Sequence, residues 1–269
     1  MRTIWLSFLL ITSTAFKCHS YADPTKADSA EARTWAATVS APDLANLLKQ
    51  TAVENGDGTC KSVAQMQVRF HDGTGISAES FQDVVDDIND AFGYPKIVGL
   101  LSASETIQDG TIVVFLNRKR EARSLLKGVA DRARAPRGAW DGWMWQNENN
   151  EVTKAAVAIY QDDAAVTQES FPAYLCQSVL WALGYNWVIK APQQIKVPDE
   201  KGETPVTASS QRQSLIDERD RDIIRFSDRF LQPRSRNSDI SGVISQQWPR
   251  FVRGLMSDAE PRGEADKKN

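Results

Sequence analysis

The sequence predicts an α+β fold in which a mixed β-sheet of about five strands packs against helices. Short runs rich in β-branched and aromatic residues indicate the strands, and longer runs with apolar residues at helical spacing indicate the helices. The elements follow one another as strand, helix, several strands and then helices. This order is typical of α+β proteins, because alternating strands and helices would instead predict a parallel α/β sheet.

The N-terminus has the pattern of a secretory signal peptide. Arg2 precedes an apolar stretch at residues 5–16, and Ser20 and Ala22 are small residues suited to cleavage after position 22. The apolar stretch is too short to span a bilayer, which needs about 20 residues. We therefore expect residues 1–22 to be removed and the mature chain to be exported, to the periplasm or outside the cell. A retained N-terminal anchor is the alternative.

The mature chain is expected to form a single domain. Residues 23–55 are predicted as a loosely ordered lead-in with a short helix at 41–51, and 56–256 as the α+β domain. The charged segment 257–269 is predicted to be disordered. The formal net charge of −3, with charges of both signs interspersed, argues against a nucleic-acid partner. No segment after the signal peptide is apolar for long enough to span a membrane.

The strands and further helices are predicted from their periodicity. Strands are expected at residues 66–71, 96–101, 111–116, 140–145 and 152–160, the last two joined as a hairpin. Helices are expected at residues 78–92, 117–134, 170–184, 214–231 and 239–256. Pro249 should kink or divide the last helix. The polar connection 190–213 is expected to be a long loop or flap.

The helix predicted at 170–184 is apolar around most of its circumference, so it should lie in the middle of the domain. Pro172 suits a first turn and Gly184 can end the helix. Four polar and aromatic side chains fall on one face, at Tyr174, Gln177, Ser178 and Trp181. We expect this face, together with Trp187, to line a binding cleft.

Two cysteines and one histidine remain after cleavage, at Cys60, Cys176 and His71. Two cysteines in an exported protein usually form a disulfide, and here it would close a loop worth about 4–5 kcal/mol in the chain-entropy model. Two separate buried thiols are the alternative. Cys176 and His71 could also act as nucleophile and base.

Other candidate sites are acidic, aromatic or basic. Asp162, Asp163 and Glu169 could bind a cation such as calcium or act as acid and base, or could simply charge a strand end and a helix N-terminus. A set of aromatic residues could bind sugar or peptide or could pack the core: Trp140, Trp143, Trp145, Tyr174, Trp181 and Trp187. The Arg-rich run 118–137 is a solvated helix face or a contact with an anionic membrane surface or envelope polymer.

The end of the central helix resembles the active-site region of zincin metallopeptidases, whose helix carries His-Glu-x-x-His, often followed by Ala-Leu-Gly. Aligning that pattern on residues 182–184 places the ligand histidines at Gln177 and Trp181, the general base at Ser178 and the third ligand at Trp187. Zinc is bound by Cys, His and carboxylates. The resemblance therefore implies a scaffold without a zinc site.

The chain is also similar to a bacterial family of exported proteins, the "domain of unknown function 2927" family, over roughly residues 63–255. That family carries a Cys near the start of its central helix and Ala-Leu-Gly and Asn further on, which correspond to Cys176, 182–184 and Asn186. The segment 230–234 corresponds to the end of a later helix in that family. The family looks like a zincin without its histidines, so the resemblance implies a zincin-like fold and export but no known activity.

These observations predict an exported, non-catalytic, pseudo-metallopeptidase-like protein that binds or assembles in the cell envelope. No cofactor or metal is expected, and the partner would be an unknown protein or an envelope polymer. Two alternatives remain open. One is a metal-independent hydrolase that uses carboxylates near the central helix, and the other is a structural subunit of an envelope complex.

Overall fold

The computed structural model describes residues 35–55, 58–72, 78–102, 107–130, 138–186 and 214–257. The predicted signal peptide at 1–22, the connection at 190–213 and nearly all of the tail at 257–269 lie outside these residues, as does Trp187.

A five-stranded mixed sheet forms the centre of the structure, which confirms the predicted α+β fold. Its strands are β3 (Met66–Asp72), β4 (Ile97–Ser102), β5 (Thr111–Asn117), β6 (Trp140–Gln146) and β7 (Val152–Tyr160). Two short strands that precede them, β1 (Val53–Asn55) and β2 (Gly58–Cys60), pair only with each other. The sheet has the order β4-β3-β5-β7-β6, in which β6 is antiparallel to β7 and the other neighbours are parallel. All five predicted strands are confirmed to within one residue at each end.

The six predicted helices are all present in the described residues and in the predicted order, although several differ in length. They are α1 (Ala41–Thr51), α2 (Ala78–Phe92), α3 (Lys119–Val129), α4 (Phe171–Ala182), α5 (Glu218–Phe230) and α6 (Asn237–Ser257). Helix α5 begins later than predicted because the Asp217 carboxylate caps it, accepting the N–H of Asp220 at 2.8 Å. Pro249 lies inside α6 without dividing it. In the part of the chain that the structure describes, no helix is long and apolar enough to cross a membrane.

The sheet separates two apolar layers, because successive side chains of a strand point to opposite faces. In β5, Ile112, Val114 and Leu116 belong to the main core, which includes α2 and α4. Val113 and Phe115 of the same strand belong to a smaller core against α3. Covering both faces accounts for the nearly continuous apolar sequences of β5 and β7.

A separate apolar core joins α1, α5 and α6. Leu44 and Leu48 of α1 are fully buried in it, together with Phe226 of α5 and Trp248 of α6. The segment predicted as a loosely ordered lead-in, 23–55, therefore contains a packed helix. The sequence pattern located this helix correctly but could not indicate its partners, which come from the other end of the chain.

The sequence analysis did not predict the β1–β2 hairpin, which lies across the C-terminal end of α4. The backbone N–H groups of Val53 and Ser62 donate to the carbonyl oxygens of Gly184 (3.1 Å) and Leu183 (2.9 Å), respectively. Gly184 has φ +98°, and a Cβ at this position would clash with the carbonyl oxygen of Cys60. Gly184 therefore both ends the helix and allows the hairpin to approach it closely.

Candidate functional site

Helix α4 forms as the sequence predicts. Pro172 lies in its first turn, where a missing N–H costs no hydrogen bond. At the other end, the N–H of Tyr185 donates to the carbonyl oxygen of Leu180 at 2.9 Å, which satisfies one of the final carbonyls. Most side chains of α4 are buried against β6, β7 and α2, so α4 is the central helix of the main core.

The face of α4 that was predicted to line a cleft is largely closed. Ser178 and Trp181 are 0% and 1% exposed, whereas Tyr174 and Gln177 are half-buried. The hydroxyl of Ser178 donates to the carbonyl oxygen of Leu175 at 2.9 Å, inside the helix itself. Ser178 and Trp181 are therefore inaccessible to a ligand in this structure, and the expected cleft is not open at these two residues.

Trp181 fills the space between α4 and the edge strand β6. Its ring packs edge-on against that of Trp140, with centroids 5.4 Å apart. A Cβ at Gly142 of β6 would clash with the Trp181 ring. Glycine is unfavourable inside a strand unless another group approaches closely. The Trp181 ring therefore fills the space that the missing side chain of Gly142 leaves on β6.

Gln177 closes the same face with a hydrogen bond. The indole Nε1 of Trp140 donates to Oε1 of Gln177 at 3.2 Å, which joins β6 to α4. Gln177 and Trp181 are the residues at which the resemblance to zincins would place ligand histidines, and neither side chain is a zinc ligand in proteins. Among the described residues, no group of three or more His, Cys, Asp and Glu side chains could hold a metal ion.

The predicted disulfide between Cys60 and Cys176 is not formed, and both residues are buried as thiols. Cys60 lies against Gly184, just past the C-terminal end of α4, whereas Cys176 lies inside α4, six residues before its last residue, Ala182. At a rise of about 1.5 Å per residue, Cys176 is therefore about 9 Å along the helix axis from that end. A disulfide needs Cα atoms within about 7 Å.

Cys176 and His71 do not form a catalytic pair. Cys176 belongs to the main core, and His71 lies on the opposite face of β3, with its ring 6.2 Å from that of Phe115. Burial, with a contribution from Asp87, raises the pKa of the Cys176 thiol well above its ordinary value. The thiolate form that a nucleophile requires is therefore disfavoured.

Two of the three candidate carboxylates have structural partners. Oδ1 of Asp162 accepts the N–H of Lys119, the first residue of α3, at 2.7 Å. Oδ1 of Asp163 accepts the N–H of Ala165 at 3.0 Å. Glu169 is exposed beside the start of α4. Asp162 thus satisfies a helix N-terminus from 43 residues away, which no local capping motif could indicate.

The structure divides the predicted aromatic set between the two faces of the sheet. Trp140 faces α4, whereas Trp143 and Trp145 pack beside α3 in the smaller core. The odd spacing from residue 140 to 143 along a strand requires this division. The five described aromatic side chains of the set therefore do not line one cleft, and Trp187 lies outside the described residues.

A buried ionic cluster that the sequence analysis missed lies beside the C-terminal end of α4. We call it the lysine–aspartate cluster, and it consists of Lys61, Tyr94, Lys96, Tyr185 and Asp228. Oδ1 of Asp228 lies 3.3 Å from Lys96 Nζ and 2.9 Å from Tyr185 Oη. Oδ2 of Asp228 accepts a hydrogen bond from Tyr94 Oη at 2.7 Å, and Lys61 Nζ lies 3.8 Å from Oδ1.

The two ammonium groups also bind backbone carbonyls. Lys61 Nζ donates to three oxygens at the end of α5, those of Ser227 (3.3 Å), Asp228 (2.6 Å) and Leu231 (2.7 Å). A cation at this position satisfies terminal carbonyls and complements the helix dipole. Lys96 Nζ donates to the carbonyl oxygen of Ser62 at 2.7 Å. The cluster therefore ties α5 to the main core through five side chains from four segments of the chain.

Burial and the attraction of opposite charges act in opposite directions on the pKa values of Lys61 and Asp228. Burial lowers the pKa of Lys61 to about 8, although the attraction of Asp228 opposes this shift. For Asp228, burial alone would raise the pKa, but Lys96, the Tyr94 hydrogen bond and Lys61 hold it below its ordinary value. A lysine with a lowered pKa can act as a base. Lys61, however, is engaged with three carbonyls beside a cavity of about 10 Å³, which is the room one water molecule needs.

No sequence signal marks this cluster. Lys61 follows β2 and Lys96 precedes β4, each without a charged neighbour, and Asp228 is one of many charges on α5. Comparisons with protein-family models, with curated proteins and with solved structures found no match for the chain. The function must therefore be inferred from the residues and their geometry.

Proposed function

We propose that this chain is an exported, non-catalytic binding or assembly protein of the cell envelope, built on a zincin-like scaffold whose zinc site is replaced by aromatic packing. One observation carries the proposal. Trp181, at a position that corresponds to a ligand histidine, is buried against Trp140 in the space that Gly142 leaves. The site is thus filled by a side chain that cannot ligate zinc.

The order of elements supports the zincin-like part of the proposal. Helix α2 is followed by strands, then by the β6–β7 hairpin, and α4 comes directly after that hairpin. A helix, strands, a hairpin and a second helix in this order also resemble the active-site region of zincins, although α3 is an addition between β5 and β6. The export part of the proposal is supported by the signal-peptide pattern at residues 1–22.

The two alternatives receive less support. A hydrolase would use Glu169, Asp162 or Asp163 as acid or base, and two of these three carboxylates, those of Asp162 and Asp163, accept backbone N–H groups. A structural subunit should expose a large apolar patch. In the described parts of the chain, the exposed large apolar side chains are those of Val63, Tyr94 and Val98.

The first experiment measures metal content on the exported mature protein, purified without chelators or a histidine tag. We expect no stoichiometric zinc by elemental analysis. Stoichiometric zinc would overturn the proposal, because it would require ligands other than those at the corresponding positions. N-terminal sequencing of the same sample should begin at Asp23, and an intact N-terminus on exported protein would contradict the predicted cleavage.

A second experiment tests the scaffold by restoring ligands. The combined substitutions Gln177→His, Ser178→Glu, Trp181→His and Trp187→His should produce zinc binding if the backbone is zincin-like. Trp181→His alone is the matched control, since it opens the same space with one ligand only. Zinc in the combined variant and none in the control would support the scaffold. A folded combined variant without zinc would contradict it.

A further inference from the structure

A row of cations and indoles lies on the sheet face opposite α4. Trp143 and Trp145 share this face of β6 with Asp141, because alternate residues of a strand point the same way. We call the cation–indole row the set Lys119, Arg123, Trp143, Trp145 and Lys154. All five side chains are partly exposed, so the row is neither core nor fully solvated surface.

Arg123 is held in place by two buried groups. Its Nε donates to Oδ2 of Asp141 at 3.2 Å and to Oη of Tyr160 at 3.1 Å. Tyr160 in turn donates to the carboxylate of Asp141. The Asp141 side chain is 1% exposed and that of Arg123 is 35% exposed. These bonds engage only Nε of the guanidinium, so a buried carboxylate and phenol orient an arginine whose two terminal nitrogens are the ones suited to a bidentate anion.

A second cation lies next to Arg123. Lys119 Nζ is 5.2 Å from the centre of the Tyr160 ring, and the Arg123 guanidinium carbon is 5.6 Å from it. The ring face attracts both cations. Asp141 balances only one of them, and the carboxylate of Asp162 is bonded to a helix N–H. Around α3 basic side chains outnumber acidic ones, with Glu121 the only acidic residue of the helix.

The other end of the row combines indoles with a third cation. Lys154 Nζ lies 5.6 Å from the centre of the Trp145 ring and 3.4 Å from Oδ1 of Asp109, which is 76% exposed. Successive residues of β6 on this face are about 7 Å apart, so Asp141, Trp143 and Trp145 follow one line along the strand, with Arg123 of α3 bound at its Asp141 end. Flat indole faces provide apolar area against which a sugar ring can pack.

We propose that the cation–indole row binds a carboxylated polysaccharide, whose sugar rings lie on Trp143 and Trp145 and whose carboxylates pair with Arg123 and Lys119. This inference rests on the proposed envelope-binding role and names its ligand class. A lipid surface fits less well, because half-buried indoles on a sheet face do not protrude as the apolar face of a membrane-bound helix does.

The test is binding of the mature full-length chain to polygalacturonate, with dextran as a neutral polysaccharide and phosphatidylglycerol vesicles as an anionic lipid surface. We expect binding to polygalacturonate that weakens with ionic strength, and weaker binding to both comparison ligands. Lys119→Gln and Trp145→Ala should each reduce affinity about tenfold. Lys49→Gln, which removes an exposed cation from α1, is the matched control and should bind normally.

Circular dichroism confirms that each variant is folded, and Lys119→Gln, which alters a partly exposed side chain whose contact is with the Tyr160 ring, keeps the test valid if Trp145→Ala unfolds. Equal affinity of Lys119→Gln and Lys49→Gln for polygalacturonate would overturn the inference, as would tighter binding to vesicles or to dextran. A failure here differs from failure of the proposed function, which would appear as zinc in the mature protein whatever the polysaccharide result.

Discussion

Two regions around α4 bury polar groups in different ways. On the face toward β6, Trp181, Trp140 and Gly142 fit by shape, and one indole hydrogen bond reaches Gln177. Beyond the C-terminal end of the helix, the lysine–aspartate cluster buries three charges whose positions depend on one carboxylate. The aromatic contact lies between two elements, whereas the ionic cluster brings together side chains from four segments of the chain.

The difference has an energetic consequence. In the aromatic region, removing atoms leaves a cavity and adding atoms causes a clash, and the loss of stability scales with the volume changed. Removing one partner of a buried ion pair leaves an uncompensated charge, which is more costly. Substitutions in the two regions should therefore differ in size and in their dependence on pH.

The largest effect is expected for Asp228→Ala in the lysine–aspartate cluster. Lys61 and Lys96 would remain buried without their counter-charge, so the free energy of unfolding should fall by about 3–5 kcal/mol. Urea denaturation measures this. Glu148→Gln, at an exposed site in the hairpin, is the control and should stay within about 0.5 kcal/mol of the wild type. A loss below about 1 kcal/mol for Asp228→Ala would show that the cluster is solvated.

Gly142→Ala tests the aromatic region. The added methyl group would clash with Trp181, so the free energy of unfolding should fall by about 2–3 kcal/mol. In a Trp181→Ala background the same change should cost less than about 1 kcal/mol, because the clashing ring is absent. A double-mutant cycle by urea denaturation gives the coupling. Additive effects would mean that the two residues do not share the space.

Asp222, a second buried aspartate of α5, has its pKa shifted in the direction opposite to that of Asp228. Burial, against the attraction of Arg225, raises the pKa of Asp222 from 3.8 to about 6, whereas the lysines hold that of Asp228 down. Between about pH 4 and 6 the native state therefore binds more protons at Asp222 than the unfolded state, and its contribution to stability falls as the pH rises.

Asp222→Asn should remove that slope and raise the free energy of unfolding at pH 7 by an amount on the order of 1–2 kcal/mol. Thermal or urea unfolding across pH 4–7 measures it, with Asp43→Asn at an exposed site as the control. A variant that keeps the wild-type slope over this range would assign the titration to another group.

The smallest effect is expected for Trp140→Phe. It keeps an aromatic ring beside Trp181 but removes the hydrogen bond to Gln177, so the free energy of unfolding should fall by about 1 kcal/mol. Trp143→Phe, on the other face of β6, is the matched control. If both variants lose the same amount, the effect comes from ring size and not from the Gln177 bond.

Periodicity located the strands and helices well, because apolar spacing records which face of each element is buried. It also placed Pro172 and Gly184 correctly at the two ends of α4. The same reasoning failed for side chains whose environment comes from distant segments. Trp181 was predicted to face a cleft because its helix position is next to Gln177 and Ser178, and only the packing of β6 shows that Gly142 receives its ring.

The sequence by itself determined the α+β fold, the central helix and the absence of zinc-ligating side chains at residues 177, 178 and 181, because these depend on local pattern and residue chemistry. Only the tertiary structure decided that Cys60 and Cys176 stay apart, that Asp162 caps α3 and that Asp228 is held between two lysines. Each of these depends on distances between segments far apart in the chain, and hydrophobic periodicity carries no information about such distances.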